Sequence, residues 1–193
     1  EGLKDGAYST GEVLDLGDSE QVAEWHGHIA PDLLANVLEL LSAWYNQAIV
    51  IPESWPGPGE VTTSHLLTDG EVRVWSGMNE DRPGFHTNER SKQAMIASYS
   101  AAVRDFSVTI MSKDLLEEMN AFVYDDRGRM GPSLGNFSDR VMGMGICWYA
   151  TRDIAARVDY YKARTPINLL GQTLQPGGTS VPKWSGRRLG VRE

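Results

Sequence analysis

Leu33, Leu34, Val37, Leu38, Leu40, Leu41, Trp44 and Tyr45 recur at helical spacing, and Pro31 suits a first turn, so the pattern predicts an amphipathic helix over 31–46. Before it, 8–16 and 21–28 read as two strands around Gly17-Asp18-Ser19, which is hairpin chemistry. After it, Ala48-Ile49-Val50-Ile51 is a short continuous apolar run, the pattern of a strand buried on both faces, and Pro52 halts it just ahead of Glu53. The turn-rich Trp55-Pro56-Gly57-Pro58-Gly59 leads into a predicted helix over 60–67, then a strand over 72–75 and a loop over 77–87. Residues 88–104 predict a helix with Met95, Ile96, Tyr99 and Val103 on one side, followed by a strand at Val108-Thr109-Ile110. A helix over 113–123 and a polar turn at Asp125-Asp126-Arg127-Gly128 come next. A long helix then begins near Ser138-Asp139, with Ser138 as N-cap, and runs toward Tyr161. Beyond Ala163, Pro166, Pro176, Gly177, Gly178 and Pro182 break every period and leave an extended arm. A hairpin followed by alternating helices and strands predicts an α/β fold, a mixed β-sheet layered between helices, with no internal repeat.

Composition narrows this picture. A chain of 193 residues with 41% hydrophobic and 23% charged residues fits one globular domain with a real core. No apolar run approaches the roughly 20 residues that cross a bilayer, and residues 1–10 carry neither a basic flank nor an apolar signal core, so neither a membrane partner nor secretion is expected. Cys147 is the single cysteine, which excludes an intrachain disulfide and thiolate-rich metal sites and favours a reducing compartment; its place in an apolar helical pattern reads as core filler. Charge is uneven: residues 1–161 carry 12 basic and 25 acidic side chains, net -13, whereas 162–193 carry six basic groups against Glu193, net +5. An acidic body argues against strong nonspecific nucleic-acid binding and requires any acid-rich site to recruit cations.

Two acids carry the chemical interest: Glu53 just after the buried strand and Asp139 at the head of the long helix. Carboxylates from separate elements that converge on one cleft suit hard divalent cations, and two metals about 3.5–4 Å apart can activate water and stabilise a leaving oxygen in phosphodiester cleavage. The residues alone equally fit Glu53 as a local cap or ion pair and Asp139 as a partner of its helix dipole. Lys92, one helical turn after Thr87 and Asn88, faces either an acid cleft, where it would meet phosphate, or solvent. Trp55 is a stacking surface for a base or sugar, or a plug over the sheet edge. His65 and His86 are either ligands or merely solvated histidines, and His26 and His28 alternate onto one side of a strand without the further ligands zinc needs. Met142, Met144, Ile146, Trp148 and Tyr149 read as core packing. The arm, with Lys183, Arg187, Arg188, Arg192 and Trp184, is a phosphate-binding or docking segment, or merely a solubilising one.

Four ordered segments add a resemblance. They are Glu1-Gly2-Leu3-Lys4-Asp5-Gly6-Ala7-Tyr8-Ser9 with Val13-Leu14-Asp15; Ile51-Pro52-Glu53-Ser54 with Gly59; Gly84-Phe85-His86-Thr87-Asn88 with Lys92 and Met95-Ile96; and Gly135-Asn136-Phe137-Ser138-Asp139-Arg140-Val141-Met142. Together they resemble the C-terminal nuclease domain of tailed-phage terminase large subunits, over residues 1 to about 150. The resemblance implies an RNase H-like mixed β-sheet flanked by helices on both faces, over 1–162, with 163–193 as the basic arm. It also implies a divalent-metal-dependent endonuclease that cleaves concatemeric genome DNA for a viral packaging motor in the host cytoplasm. The cofactor would be Mg²⁺ or Mn²⁺ in a two-metal site. Its partners would be double-stranded DNA, the portal protein and the ATPase domain of the same terminase, the arm being associated with the portal ring.

Within that resemblance Glu53 matches the family's second acid and Asp139 its third. The first lies on a strand just before the acidic-Gly turn at which this chain begins, so an upstream strand and ATPase half are expected outside it; Asp5 is a substitute metal ligand for the Asp absent at position 7. Thr87, Lys92 and Trp55 become the candidate substrate contacts. Two departures remove groups from the metal shell: Ala7 and Phe137-Ser138 stand where relatives often have Asp and His-Asp. They leave open a noncatalytic RNase H-like module that grips DNA or the portal with an eroded metal site. A resolvase or transposase of the same fold matches the Thr87 and Lys92 segment less well.

Overall fold

A computed structural model describes residues 8–54, 57–68, 70–77, 82–126 and 128–164, the side chains of 155–164 excepted. The expected hairpin forms: β1 (Ser9–Asp15) pairs antiparallel with β2 (Glu20–Gly27), Ser9 opposite Gly27, with an irregularity between Val13 and Leu14. Parallel bridges extend the pairing. Thr109 joins the start of β2, its N–H donating to the Ser19 carbonyl and its own carbonyl accepting from Gln21, both at 2.9 Å. Val50 bridges Val74, and Glu53 bridges Phe85. The strands expected at 48–51, 72–75 and 108–110 therefore exist as single bridges within a mixed α/β arrangement.

The helices are α1 (Pro31–Trp44), α2 (Pro58–Thr68), α3 (Glu89–Arg104), α4 (Lys113–Asn120) and α5 (Asp139–Arg164). They lie on both faces of the strands. Val50 packs with Ala35, Leu38 and Leu66 of α1 and α2, whereas its neighbour Ile51 packs on the cluster of Met95, Ile96, Tyr99, Leu115, Val141 and Met144. Such two-sided burial is what the unalternating run 48–51 requires. β1 shows the same division: Gly11 lies against Leu38 and Leu41 of α1, while a Cβ at Gly143 of α5 would come within 2.5 Å of Thr10. The Trp75 indole N–H also donates to Asp153 of α5 at 3.0 Å. One compact unit runs through Ala155, and the backbone of α5 continues beyond it. Among the described residues no helix is long and apolar enough to cross a membrane.

Two expectations are corrected. The helix predicted through Val123 stops at Asn120; Phe122–Tyr124 (β3) instead pairs antiparallel with Met130–Pro132 (β4). Phe122 continues the helical spacing of Leu115 and Met119, but the turn that follows closes a hairpin. Asp125 accepts from the Arg129 backbone N–H at 2.8 Å and from its guanidinium at 2.9 and 3.0 Å. In α1 the apolar positions cover too much of the circumference to specify one inner face. Ala35 and Ser42 are buried, the Ser42 hydroxyl donating to the Ala48 carbonyl, while Leu40 and Trp44 are 71% and 83% exposed. Cys147 is half-buried on α5 rather than fully in the core, and burial pushes its thiol up to about 12. The arm over 165–193 lies outside the described residues.

Candidate functional site

Glu53 owes its position to its neighbours' backbones. Pro52 is buried and ends the apolar run; its carbonyl accepts from Phe85 N–H at 2.7 Å, and Ser54 N–H donates to the Phe85 carbonyl at 2.8 Å. This bridge fixes the main chain on either side of Glu53 and leaves its carboxylate exposed. Two glycines make the close packing feasible. A Cβ at Gly59 would lie 2.1 Å from the Glu53 carbonyl oxygen, and one at Gly84 would lie 1.9 Å from Ser54 Oγ. Gly84 also has φ +83, a conformation that L side chains rarely adopt. The buried Ser54 hydroxyl donates to the Pro83 carbonyl at 2.6 Å and lies 3.3 Å from Thr63 Oγ1.

The Gly84–Asn88 segment then enters α3. Asn88 is its N-cap in a reciprocal capping box: Asn88 Oδ1 accepts from Ser91 N–H at 3.0 Å, and Ser91 Oγ accepts from Asn88 N–H at 2.8 Å. Ser91 Oγ also donates to the His86 carbonyl at 2.7 Å. Thr87, held between these anchored residues, donates its hydroxyl to Glu53 Oε1. Lys92 is half-buried in the first turn of the same helix. His86 is exposed, and His65 lies on α2.

Asp139 opens α5 in different company. The helix's first free N–H groups are satisfied from α4: Glu118 Oε2 accepts from the N–H of Arg140 at 2.9 Å and of Val141 at 3.4 Å. The Arg140 guanidinium binds Glu118 Oε1 and Glu24 Oε1 at 2.8 Å each, and Asp114 Oδ2 at 3.2 Å. Glu118 thus holds both the helix end and the cation beside it, while being 8% exposed. Partial burial, reinforced by the Glu118 charge and opposed by His26, raises the Asp139 carboxyl above its ordinary range. Beside it, Tyr8 stacks on His26 and His28 with centroids 4.4 and 3.9 Å apart, and meets Phe137 edge-on at 5.0 Å. His26 of β2 and His28 just beyond it meet the same Tyr8 ring, as their alternation predicts; burial, then Arg140, lowers the pKa of His26.

Under α5 lies a further acid. Glu12 accepts from Gln21 Nε2 at 2.8 Å and Thr10 Oγ1 at 3.0 Å, and burial pushes its carboxyl up to about 7. Gln21, 2% exposed, turns its Oε1 to the N–H groups of Met111 and Ser112 at 3.0 and 2.9 Å, tying β2 to the start of α4.

The structure therefore joins Glu53 with Thr87, and Asp139 with Glu118, Arg140 and His26. Asp5 and Trp55 lie outside the described residues. Among the described residues no group of three or more His, Cys, Asp or Glu is arranged to hold a metal. Sequence reasoning missed Glu12, Glu24, Gln21, Glu118 and Arg140. The available signal was Glu118 itself, a charge three residues after Leu115 on the inner face of a predicted helix.

No protein-family model and no curated protein matches the chain. Solved structures do. The large terminase nuclease from thermophilic phage G20c with bound magnesium superposes with a TM-score of 0.61 at 20% identity, covering 77% of this chain and 77% of the other. The large terminase nuclease domain of Thermus phage P74-26 gives 0.58 at 22% identity over 78% and 75%. The G20c nuclease with bound cobalt gives 0.59 at 18% identity over 76% and 82%. At these identities the likeness is one of fold: the chain has the RNase H-like fold of large terminase nuclease domains.

Proposed function

We propose that this chain is the divalent-metal-dependent endonuclease domain of a viral DNA-packaging motor and cleaves concatemeric genome DNA. The observation that carries the reading is Glu53. A glycine-clamped backbone presents an exposed carboxylate at the end of a bridged apolar run packed on both sides, in a fold whose solved neighbours include a nuclease with bound magnesium.

The donor chemistry fits a hard cation. Thr87 occupies one oxygen of Glu53, leaving Oε2, and Asp139 would supply a second carboxylate if the two acids share the cation; carboxylate oxygens are the ligands Mg²⁺ and Mn²⁺ take. In this reading Glu53 and Asp139 hold the metal with the first acid of the resembling family, and Asp5 stands in for the Asp absent at position 7. Bound there, it would lower the pKa of a water and stabilise the leaving oxygen. The chain's own groups bind and orient the substrate: Lys92 meets a phosphate, and Trp55 stacks on a base or sugar. Burial and the neighbouring Glu118 charge raise the Asp139 carboxyl, and a bound cation would lower it. The packaging ATPase and the portal ring complete the assembly, the latter through the basic arm.

The test is cleavage of supercoiled plasmid by this chain with Mn²⁺. Nicking that disappears in Glu53→Ala and Asp139→Ala, while both variants melt at or above the wild-type temperature, supports the reading. Activity that appears only after a preceding acid-bearing strand is fused assigns the remaining ligand to that strand. No cleavage in either form, together with Mn²⁺ binding indifferent to Glu53→Ala, overturns it. That outcome leaves a noncatalytic module gripping DNA or the portal, a reading favoured by Phe137, which packs on Tyr8 where the resembling family often has a histidine.

A further inference from the structure

We propose that Thr87 is the positioning residue of the Glu53 carboxylate: its hydroxyl occupies Oε1 and thereby fixes which oxygen is offered to the cation. The inference rests on the metal-site reading above and goes beyond it, because sequence placed Thr87 against substrate rather than against an acid.

The donor is held by its neighbours. Thr87 follows Phe85, which is 4% exposed and bonded by both backbone groups to the residues flanking Glu53. It precedes Asn88, the N-cap whose reciprocal bonds with Ser91 seal the end of α3. Ser91 also binds the His86 carbonyl, so the residue on each side of Thr87 is tied to one serine. Acceptor and donor thus stand on two segments joined by a parallel bridge, and the hydroxyl reaches Glu53 Oε1 from a backbone with little freedom to withdraw.

Glu53 needs such a partner. Its side chain is long and exposed, and an exposed glutamate samples several rotamers at a substantial entropic cost when one is selected. A carboxylate that accepts one neutral hydrogen bond retains its charge and its other oxygen for a hard cation. The bond removes rotational freedom before the metal arrives, as groups behind metal ligands commonly do. Threonine suits the position because its β-branched side chain has few χ1 choices, so the hydroxyl is itself aimed.

The experiment is Mn²⁺ titration of the full chain, following free Mn²⁺ by electron paramagnetic resonance, with thermal melts alongside. Thr87→Val keeps the shape and deletes the donor; about a 10- to 100-fold rise in the Mn²⁺ Kd is expected, with the melting temperature retained. Thr87→Ser restores the donor and is expected to bind within about threefold of wild type, because only the methyl is lost. Thr87→Ala serves as a second donor deletion should the valine variant fail to fold. Thr87→Val or Thr87→Ala binding like wild type, while Glu53→Ala loses Mn²⁺, overturns the positioning role and leaves the metal site standing. Wild type without saturable Mn²⁺ binding, or Glu53→Ala binding unchanged, removes the metal-site reading and this inference with it.

Discussion

Phe106 ends α3 in a conformation that suits glycine. Its φ is +53 and its ring is 93% exposed, while Phe106 N–H reaches the Val103 carbonyl at 3.3 Å and Ser107 N–H the Ala102 carbonyl at 2.8 Å. That pair of bonds is the Schellman closure, in which the left-handed residue is usually Gly because a Cβ there is crowded. Phe106→Gly is therefore expected to raise stability by about 1 kcal/mol, read as a higher urea midpoint with an unchanged slope. A lower midpoint would mean that the ring contributes contacts the folded chain needs. Gly84 is the converse case: a side chain must enter both a left-handed backbone and the space of Ser54 Oγ. Gly84→Ala is expected to cost about 3 kcal/mol or more and to displace Glu53, read as a lost thermal transition or weakened Mn²⁺ binding. Glu53 stood out in the sequence because an acid directly after a buried apolar run needs a reason, whereas the close approach of Gly59 and Gly84 to its neighbours was not readable, since spacing does not say which backbones will press together. Thr87 was legible as part of the segment but not in its partner, because a hydroxyl carries no pattern that says which acid it will meet.

At the scale of elements, the start of α5 is held by a side chain from α4 rather than by its own first residues. Glu118→Ala would leave two helix N–H groups and the Arg140 guanidinium short of an acceptor in a buried place. It is expected to cost about 3 kcal/mol, and Glu118→Gln less, because the amide oxygen still accepts. Chemical denaturation of the two variants side by side checks the order. Glu12 gives the same face of the hairpin a pH dependence. Its carboxyl sits at about 7 against an ordinary 4.5, raised by burial and by Glu24 and restrained by Gln21, Thr10 and Arg140. Between those values the folded chain keeps a proton that the unfolded chain has released, so this group's contribution to stability falls as pH rises through the interval, by roughly 3 kcal/mol. Glu12→Gln should match wild type near pH 4.5 and exceed it near pH 7.5; equal pH profiles would place the charge in water. The hairpin, α1, α3 and the head of α5 were readable because each repeats its period long enough to be unambiguous. The β3–β4 hairpin was not, since Phe122 extends the spacing of Leu115 and Met119 and only pairing across the turn decides for strand. Nor was the inner face of α1, whose apolar positions wrap too far around to choose one.

At the scale of the whole molecule, charge sets a problem that the proposed function must solve. The first 161 residues carry a net -13, and a DNA phosphate approaching Glu53 or Asp139 meets repulsion before it meets a ligand. Two sources of positive charge answer it. In the proposed function divalent cations would act at the acids, and Lys183, Arg187, Arg188 and Arg192 of the arm would supply further positive charge to phosphates. The two separate by their dependence on salt, because each phosphate neutralised by a side chain contributes about -0.9 to the slope of log K against log salt. Removing 165–193 deletes four cations and Glu193, so full engagement of the arm predicts a slope shallower by about 3.6, measured by fluorescence anisotropy on a DNA duplex in EDTA. Mn²⁺ affinity should not change, since the ligands proposed for it all precede the deletion. An unaltered slope would take the arm off the DNA and leave it to an acidic protein partner. In that case divalent cations alone must overcome the repulsion, and duplex binding should collapse on chelation whether or not the arm is present.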